Sequence, residues 1–177
     1  MRPRRALPYV GLPRRSDMGH PHADLIARFY DALARRDGAA MAACYHPQVT
    51  FRDEVFDLQG PMAGAMWRML CDRGADLRVV ASGITAEDAT GAAHWEADYT
   101  FSQTKRPVHN VIDAAFTFDD GLIRTHVDRF DFWSWSRQAL GVPGLLLGWT
   151  PFLRAKVAAE AQKGLAAYVA RHPEALG

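Results

Sequence analysis

The sequence predicts an α+β protein, because its apolar residues change period part-way along the chain. Up to about residue 75 they recur every three to four positions, which is typical of amphipathic helices. From Asp76 to Phe132, apolar and polar residues alternate instead, which is typical of half-buried strands. A last helical pattern follows near the C-terminus. Helices that precede a run of short strands indicate an antiparallel sheet with the helices segregated to one side.

The N-terminal third of the chain is predicted to form three helices and one strand. The helices cover residues 22–36, 39–45 and 61–70, and the strand covers residues 49–53. We expect Gly38 to end the first helix in a left-handed conformation, since glycine adopts positive φ without steric cost. Pro47 stops the second helix, and Pro61 opens the third at the position where proline is best tolerated.

The middle of the chain is predicted to form a four-stranded meander over residues 77–85, 89–102, 108–118 and 122–132. Asp120-Gly121 has the sequence of a tight hairpin turn between the last two strands. Because successive strand side chains point to opposite faces, Trp95 is expected on the inner face, whereas His94 and His109 are expected on the outer face.

The C-terminal part departs from this order. Residues 133–140 are predicted to form one or two helical turns that the stretch 141–144 breaks. A final helix is predicted over residues 151–171, with Thr150 as its N-cap and Pro151 at its first position. We expect this helix to pack on the domain or on a second subunit. Its basic residues are too few for a membrane-surface anchor, namely Arg154, Lys156 and Lys163.

Composition and charge limit the classes of partner. Of the 177 residues, 49% are hydrophobic and 23% charged, which is typical of a soluble globular domain. The net charge of +1 argues against a dedicated nucleic-acid binder, and no apolar run approaches the ~20 residues that would cross a membrane. A cytoplasmic location is therefore predicted, without nucleic-acid or membrane partners. Cys44 and Cys71 lie in apolar helical patterns and are predicted to be reduced core residues.

Three regions are predicted along the chain. Residues 1–19 are rich in arginine and proline and are expected to be disordered, since such a composition buries too little apolar surface. They lack the apolar core of a secretory signal, and Met18 is a candidate for the true start. Residues 20–135 are predicted to form one domain, and residues 136–177 a helical extension.

The strongest candidate for a functional site is the last strand of the meander. His126, Asp128 and Phe130 share one of its faces, so two ionisable side chains are expected on the same face as an aromatic core residue. Burying an unpaired charge is costly, which indicates either a pocket or a structural pair between His126 and Asp128. Asp53, at the end of the first strand, is the third candidate for acid-base chemistry. Its alternative is a capped loop carboxylate that pairs with Arg52 or a neighbour.

Aromatic side chains are predicted to line the pocket beside these groups, although each is also a plausible core residue: Tyr30, Trp67, Trp95, Tyr99, Phe116 and Phe130. No metal site is predicted, because His20 and His22 lack a third ligand. The chain carries no glycine-rich phosphate loop and no nucleophile elbow, so no cofactor is predicted.

The order of these elements resembles the nuclear transport factor 2-like superfamily, and more narrowly its SnoaL-like, ketosteroid-isomerase-like branch. The resemblance covers about residues 24–135, through LIARFYDALARRDGAAMAACYHPQVTFRD, GPMAGAMWRML and FTFDDGLIRTHVDRFDFW. It implies a cone in which a curved antiparallel sheet wraps around three N-terminal helices and leaves a deep apolar cavity, here with an extra C-terminal helix. Members include isomerases, dehydratases, epoxide hydrolases, polyketide cyclases and non-catalytic binders, and dimers are common, so a homodimer is predicted.

The resemblance to ketosteroid isomerases is incomplete at the residues that carry their chemistry. Asp53 matches the general-base aspartate, but the positions of the two oxyanion donors fall on Phe29 and Ala114. Tyr30 and Asp113 are each one residue away, and a one-residue slip in a strand turns a side chain to the other face. A steroid-type isomerase is therefore disfavoured unless a bulge restores Asp113.

The epoxide hydrolases and the SnoaL-like cyclases differ in how well their functional residues match this sequence. Asp128 takes the position of the water-activating aspartate of the epoxide hydrolases, but the arginine and second aspartate of their relay fall on Trp95 and Ala97. The resemblance to SnoaL-like cyclases implies a simpler site, with one acid-base group in an aromatic pocket. His126 and Asp128 match this kind of site best.

These residues leave three hypotheses open. The first is a cofactor-independent lyase, isomerase or cyclase that acts on a small apolar or polycyclic carbonyl compound, with Asp128 as base and Asp53 or Tyr30 assisting. The second is a non-catalytic binder of a lipid-like or aromatic metabolite, with the last helix over the cavity mouth. The third is a homodimeric interaction module.

Overall fold

A computed structural model describes residues 19–176. The predicted disordered leader, apart from Gly19, and the candidate start at Met18 lie outside these residues. The elements in chain order are α1 (Pro21–Ala34), α2 (Gly38–Ala42), β1 (Tyr45–Arg52), β2 (Asp57–Gln59), α3 (Pro61–Arg73), β3 (Arg78–Ala86), β4 (Thr90–Phe101), β5 (Arg106–Asp119), β6 (Leu122–Phe130), α4 (Phe132–Leu140), α5 (Val142–Leu147), α6 (Pro151–Arg171) and a 3₁₀ turn (Pro173–Leu176).

The strands form one six-stranded sheet in the order β2-β1-β6-β5-β4-β3. Its neighbours are antiparallel except for β1 and β6, which run parallel. Register shifts in β1, β3 and the β5–β6 pair bend the strands, as bulges do. The core lies between this curved sheet and α1–α3, so the predicted α+β class is confirmed.

The tight turn between β5 and β6 is confirmed. Asp120 and Gly121 both have positive φ, at 50° and 74°, as a two-residue hairpin of the primed type requires. One register shift follows the turn, between Phe118 and Thr117, and from Thr117 to Ile112 the pairing of β5 with both β4 and β6 is uninterrupted. This uninterrupted pairing decides which face of the sheet each candidate residue occupies.

The end of α1 differs from the prediction. The left-handed residue is Arg36, with φ 58°, and not Gly38. Asp37 is the N-cap of α2, where its side chain accepts the amide hydrogen of Ala40 at 2.9 Å. Gly38 is needed for space instead, because a Cβ there would lie 2.6 Å from the Cα of Arg68 on α3. Close packing between α2 and α3 therefore explains this glycine.

β2, α5 and the 3₁₀ turn were not predicted. β2 is only three residues long, which is too short to show a period, and α5 occupies the stretch that was predicted to break the chain. β1 also begins at Tyr45, four residues before the predicted strand. The last helix is confirmed, since the Thr150 hydroxyl accepts the amide hydrogen of Leu153 at 3.2 Å and Pro151 is the first helical residue.

Both cysteines, Cys44 and Cys71, are buried and unbridged. Within residues 19–176, no helix combines the length and the apolar character needed to cross a membrane. The same part of the chain contains no group of three metal-binding side chains close enough to hold an ion.

Candidate functional site

A cavity of about 580 Å³ lies between the inner face of the sheet, α3 and α6. This volume falls within the range of small-molecule sites. Most of its wall is apolar, and Leu153, Val157 and Ala161 of α6 form part of it. Six of the predicted site residues line it: Asp53, Trp67, Trp95, Tyr99, Asp128 and Phe130. The cavity therefore joins the two carboxylates that lie far apart in the sequence.

Asp128 is buried on the inner face of β6, with 4% of its surface exposed. Its Oδ1 accepts the indole hydrogen of Trp95 at 3.3 Å and contacts Nε2 of His126 at 3.0 Å. Its Oδ2 accepts no hydrogen bond from residues 19–176. One oxygen thus orients the carboxylate, and the other remains available to a molecule in the cavity.

His126 is fully buried and connects Asp128 to a chain of hydrogen bonds. The indole of Trp67 donates to the Tyr45 hydroxyl at 2.7 Å, and this hydroxyl lies 2.7 Å from Nδ1 of His126. An indole only donates, so the Tyr45 oxygen accepts from Trp67 and gives its own hydrogen to Nδ1. The hydrogen of His126 is then on Nε2, from which it is donated to Asp128.

The ring of His126 is held by aromatic packing, one layer behind the cavity wall. Phe116 lies 4.4 Å away between ring centroids, Phe51 lies 5.1 Å away edge-on, and Trp67 stacks at 6.1 Å. These contacts leave the imidazole no room to turn. His126 therefore positions Asp128 and does not itself border the cavity.

Asp53 follows the last residue of β1 and borders the cavity. Its Oδ1 accepts the amide hydrogens of Val55, at 2.7 Å, and Phe56, so the carboxylate caps this loop. Burial raises its pKa from 3.8 to about 6, against the lowering effect of those two hydrogen bonds, and the nearby charge of Asp128 adds to the rise. Arg52 pairs with Asp57 at 3.8 Å instead, so the predicted alternative partner lies elsewhere.

Tyr99 offers a second polar group to the cavity. The indole of Trp135 donates to its hydroxyl at 2.9 Å, which leaves the hydrogen of that hydroxyl for another acceptor. Burial raises the pKa of Tyr99, and the charge of Asp53 contributes to this rise. Tyr99 is therefore a neutral donor on the same wall as Asp53.

Two predicted substrate-binding residues do not line the cavity. Tyr30 and Phe116 are buried behind Trp95, with ring centroids 5.6 Å apart for Tyr30 and Trp95. The Tyr30 hydroxyl is buried and has no hydrogen-bond partner within residues 19–176. Burial first, and then the charge of Asp128, raises its pKa well above the ordinary value. Together with His126, these residues support the wall from behind.

The bulge that would have restored a steroid-isomerase dyad is not present in β5. Pairing runs without interruption from Ile112 to Thr117, so Asp113 stays on the outer face and Ala114 on the inner one. Asp113 instead contacts His94 there at 2.8 Å, and both histidines predicted to face outward, His94 and His109, do so.

Sequence reasoning missed Tyr45, which links Trp67 to His126. The sequence predicts that the second helix ends at Tyr45, whereas in the structure Tyr45, Val49 and Phe51 have the same strand parity and are all buried. Starting the strand four residues earlier would have placed Tyr45 on the inner face. The α6 residues of the wall had no comparable signal, because their position depends on long-range packing.

A model of the SnoaL-like domain family matches residues 26–126, which is more than half of the chain. The chain belongs to this family. The resemblance found in the sequence is thereby confirmed, and the elements that build the cavity lie largely within the matched residues. Among curated proteins, none matches the sequence at a significant level.

Several solved structures share the fold. A putative SnoaL-like polyketide cyclase from Jannaschia is 15% identical, with a TM-score of 0.62, and covers 74% of this chain and 99% of its own. An epoxide hydrolase from M. tuberculosis that is described as LEH-like is 19% identical, with a TM-score of 0.58 and coverages of 72% and 96%. A putative polyketide cyclase from Xanthomonas campestris is 20% identical, with a TM-score of 0.57 and coverages of 67% and 96%. At such identities the likeness shows the fold alone.

Proposed function

We propose that the protein is a cofactor-independent enzyme of the lyase, isomerase or cyclase type. Its substrate would be a small apolar or polycyclic molecule with a carbonyl group, and its reaction would begin with removal of a proton beside that carbonyl. The observation that carries this proposal is the opening of Asp53 and Asp128 onto one apolar cavity. Paired carboxylates in different environments are suited to acid and base roles.

Asp128 is the base in this proposal. Its Oδ2 accepts the proton from carbon, while Trp95 and His126 hold Oδ1 and keep the carboxylate aimed. The electron pair of the broken C–H bond moves toward the carbonyl oxygen, which becomes an enolate. A base that is held in a fixed position beside the reacting carbon lowers the entropic cost of the proton transfer.

Asp53 and Tyr99 are placed to receive the developing negative charge. A carboxyl group with a pKa of about 6 is partly protonated near neutral pH, so Asp53 can donate a hydrogen bond to the enolate oxygen. The Tyr99 hydroxyl has a hydrogen left after accepting from Trp135. In an isomerisation, Asp128 then returns the proton to a different carbon of the conjugated enolate. In a ring closure, the enolate carbon attacks a second carbonyl carbon of the substrate, the electron pair of that C=O bond moves to its oxygen, and this oxygen takes the proton from Asp128.

Hydrogen–deuterium exchange in D₂O tests the base directly, without knowledge of the product. A panel of polycyclic ketones and aryl ketones is incubated with the protein, and loss of the signal of the hydrogen beside the carbonyl is followed by NMR. We expect exchange with the wild type and a loss of about 10²-fold or more in Asp128→Asn. The asparagine retains an oxygen acceptor for Trp95.

Asp57→Asn is the matched control, because Asp57 is an exposed carboxylate on β2 that does not border the cavity. This variant should catalyse hydrogen–deuterium exchange of the panel ketones at the same rate as the wild type. The enzyme proposal fails if panel members bind to the wild type, as shown by calorimetry, and none of them exchanges.

A non-catalytic binder is the second candidate, and one observation favours it. Each carboxylate already has a structural role, since Asp53 caps a loop and Asp128 accepts from Trp95 and His126. In this case the cavity would hold a lipid-like or aromatic metabolite beneath α6. Tight binding of panel members without exchange is the outcome that this candidate requires.

A further inference from the structure

The outer surface of the α4–α6 region carries a concentration of exposed apolar side chains. Trp149 is 74% exposed and Phe152 is 69% exposed, although residues of these types are normally covered. The members of this surface, called the α5 patch below, are Trp133, Val142, Leu145, Leu146, Leu147, Trp149 and Phe152. A set of this size that is close together in the chain marks an interaction surface.

Packing between α4 and α5 explains why the patch faces outward. A Cβ at Gly144 would lie 1.9 Å from the carbonyl oxygen of Ser136, and one at Gly148 would lie 2.1 Å from its hydroxyl. The two glycines thus press one side of α5 against α4, and Ser136 is fully buried between them. Leu145 and Leu146 are turned away from α4 as a consequence.

Between Asp131 and Glu160, the segment that carries the patch has only basic charged residues. Residues 132–159 contain Arg137, Arg154 and Lys156 but no aspartate or glutamate, although the whole chain has 21 basic and 20 acidic residues. Arg154 pairs with Glu54 on the β1–β2 loop, which leaves a net positive charge even so. Arg137 lies 5.3 Å from the ring of Trp133, so a cation and an interfacial aromatic stand together.

We propose that the α5 patch docks on an anionic lipid surface. Exposed leucine, tryptophan and phenylalanine with a basic surround are the composition of segments that lie in the membrane interface. The sequence predicts no membrane partner, because no apolar run is long enough to cross a membrane and the last helix has few basic residues. The exposure of α5 and Trp149 is a separate observation, and it does not depend on the proposed enzymatic activity.

The patch also adjoins the cavity. Pro143 of α5 and Leu153 of α6 belong to the cavity wall, and their chain neighbours Val142 and Phe152 belong to the patch. A lipid surface at this position would therefore contact the protein beside the cavity.

Vesicle co-sedimentation tests the proposal. The whole protein is spun with vesicles of phosphatidylcholine alone and with vesicles that also contain phosphatidylglycerol. We expect the wild type to sediment with the anionic vesicles, less so at high salt, with a blue shift of tryptophan emission. The double variant Leu146→Ser, Trp149→Ser should bind at least about tenfold more weakly, because two interfacial side chains are lost.

Leu176→Ser is the matched control, since Leu176 is 38% exposed on the C-terminal 3₁₀ turn and belongs neither to the patch nor to the cavity wall. It should bind vesicles as the wild type does, and circular dichroism should show that both variants are folded. A wild type that stays in the supernatant with anionic vesicles at low salt overturns the proposal. So does a wild-type dimer that the double variant converts to a monomer, because the occupant would then be a second copy.

Discussion

At the scale of single residues, burial of Asp53 makes the stability of the fold depend on pH. Its pKa is about 6 in the folded protein against 3.8 as the ordinary value, so the folded state binds the proton more tightly. Between about pH 4 and pH 6 the folded state keeps a proton that the unfolded state has lost. The free energy of unfolding therefore falls as pH rises through this window, by up to about 3 kcal/mol, and this contribution is constant above it.

Asp53→Asn should remove this dependence, because asparagine does not titrate and still accepts the amide hydrogens of Val55 and Phe56. We expect the stability of the variant relative to the wild type to increase from pH 4 to about pH 6, by up to about 3 kcal/mol. Urea denaturation at a series of pH values measures it, with Asp57→Asn as the control. Parallel stability curves for Asp53→Asn and the wild type would show that Asp53 titrates alike in both states.

The residue scale also shows how far sequence reasoning reaches. Parity along β6 placed His126, Asp128 and Phe130 on one face, and the structure has all of them inward, because strand alternation is a local property. The same rule placed Asp113 outward. Local patterns did not separate Tyr30 of α1 and Phe116 of β5, which lie behind the wall, from Trp95, which forms it, since depth depends on how the layers pack.

At the scale of elements, α6 is a wall of the cavity and not a detached extension. Its buried residues Leu165 and Tyr168 face the body of the domain, and the Tyr168 hydroxyl donates to Asp72 of α3. Arg73 of α3 also donates to the carbonyl of Gly164 at 3.4 Å. The sequence left open whether this helix packs on its own domain or on a second subunit, and the structure has it on its own domain.

Ala161→Trp should therefore fill part of the cavity and weaken ligand binding. Ala161 lines the cavity, whereas Ala159 is exposed on the same helix, so Ala159→Trp is the matched control. We expect an affinity about tenfold lower or more for Ala161→Trp, measured by titration of an apolar fluorescent probe, and no change for the control. Equal affinities in the two variants would mean that the ligand does not occupy the space beneath α6.

At the scale of the whole molecule, the homodimer inferred from the family resemblance stays a prediction. The outer face of the sheet has two exposed valines, Val80 at 68% and Val111 at 45%. They lie on β3 and β5, on either side of Glu96 of β4, which is the register partner of both. We expect light scattering to give the mass of a dimer, and Val111→Lys to shift it toward the monomer, because the new charge would lose its water at the contact between the two copies. A monomer mass at every concentration of the wild type would contradict the prediction.

The sequence by itself determined the class, the helices α1, α3 and α6, the β5–β6 turn and the inward face of β6. These features depend on periodicity, caps and turn residues, which act within a few positions of the chain. Only the tertiary structure decided the parallel pairing of β1 with β6, the link from Trp67 through Tyr45 to His126, the cavity beneath α6 and the raised pKa of Asp53. Each of these depends on residues that are distant in the chain and become neighbours only when the layers pack, so no local pattern encodes them.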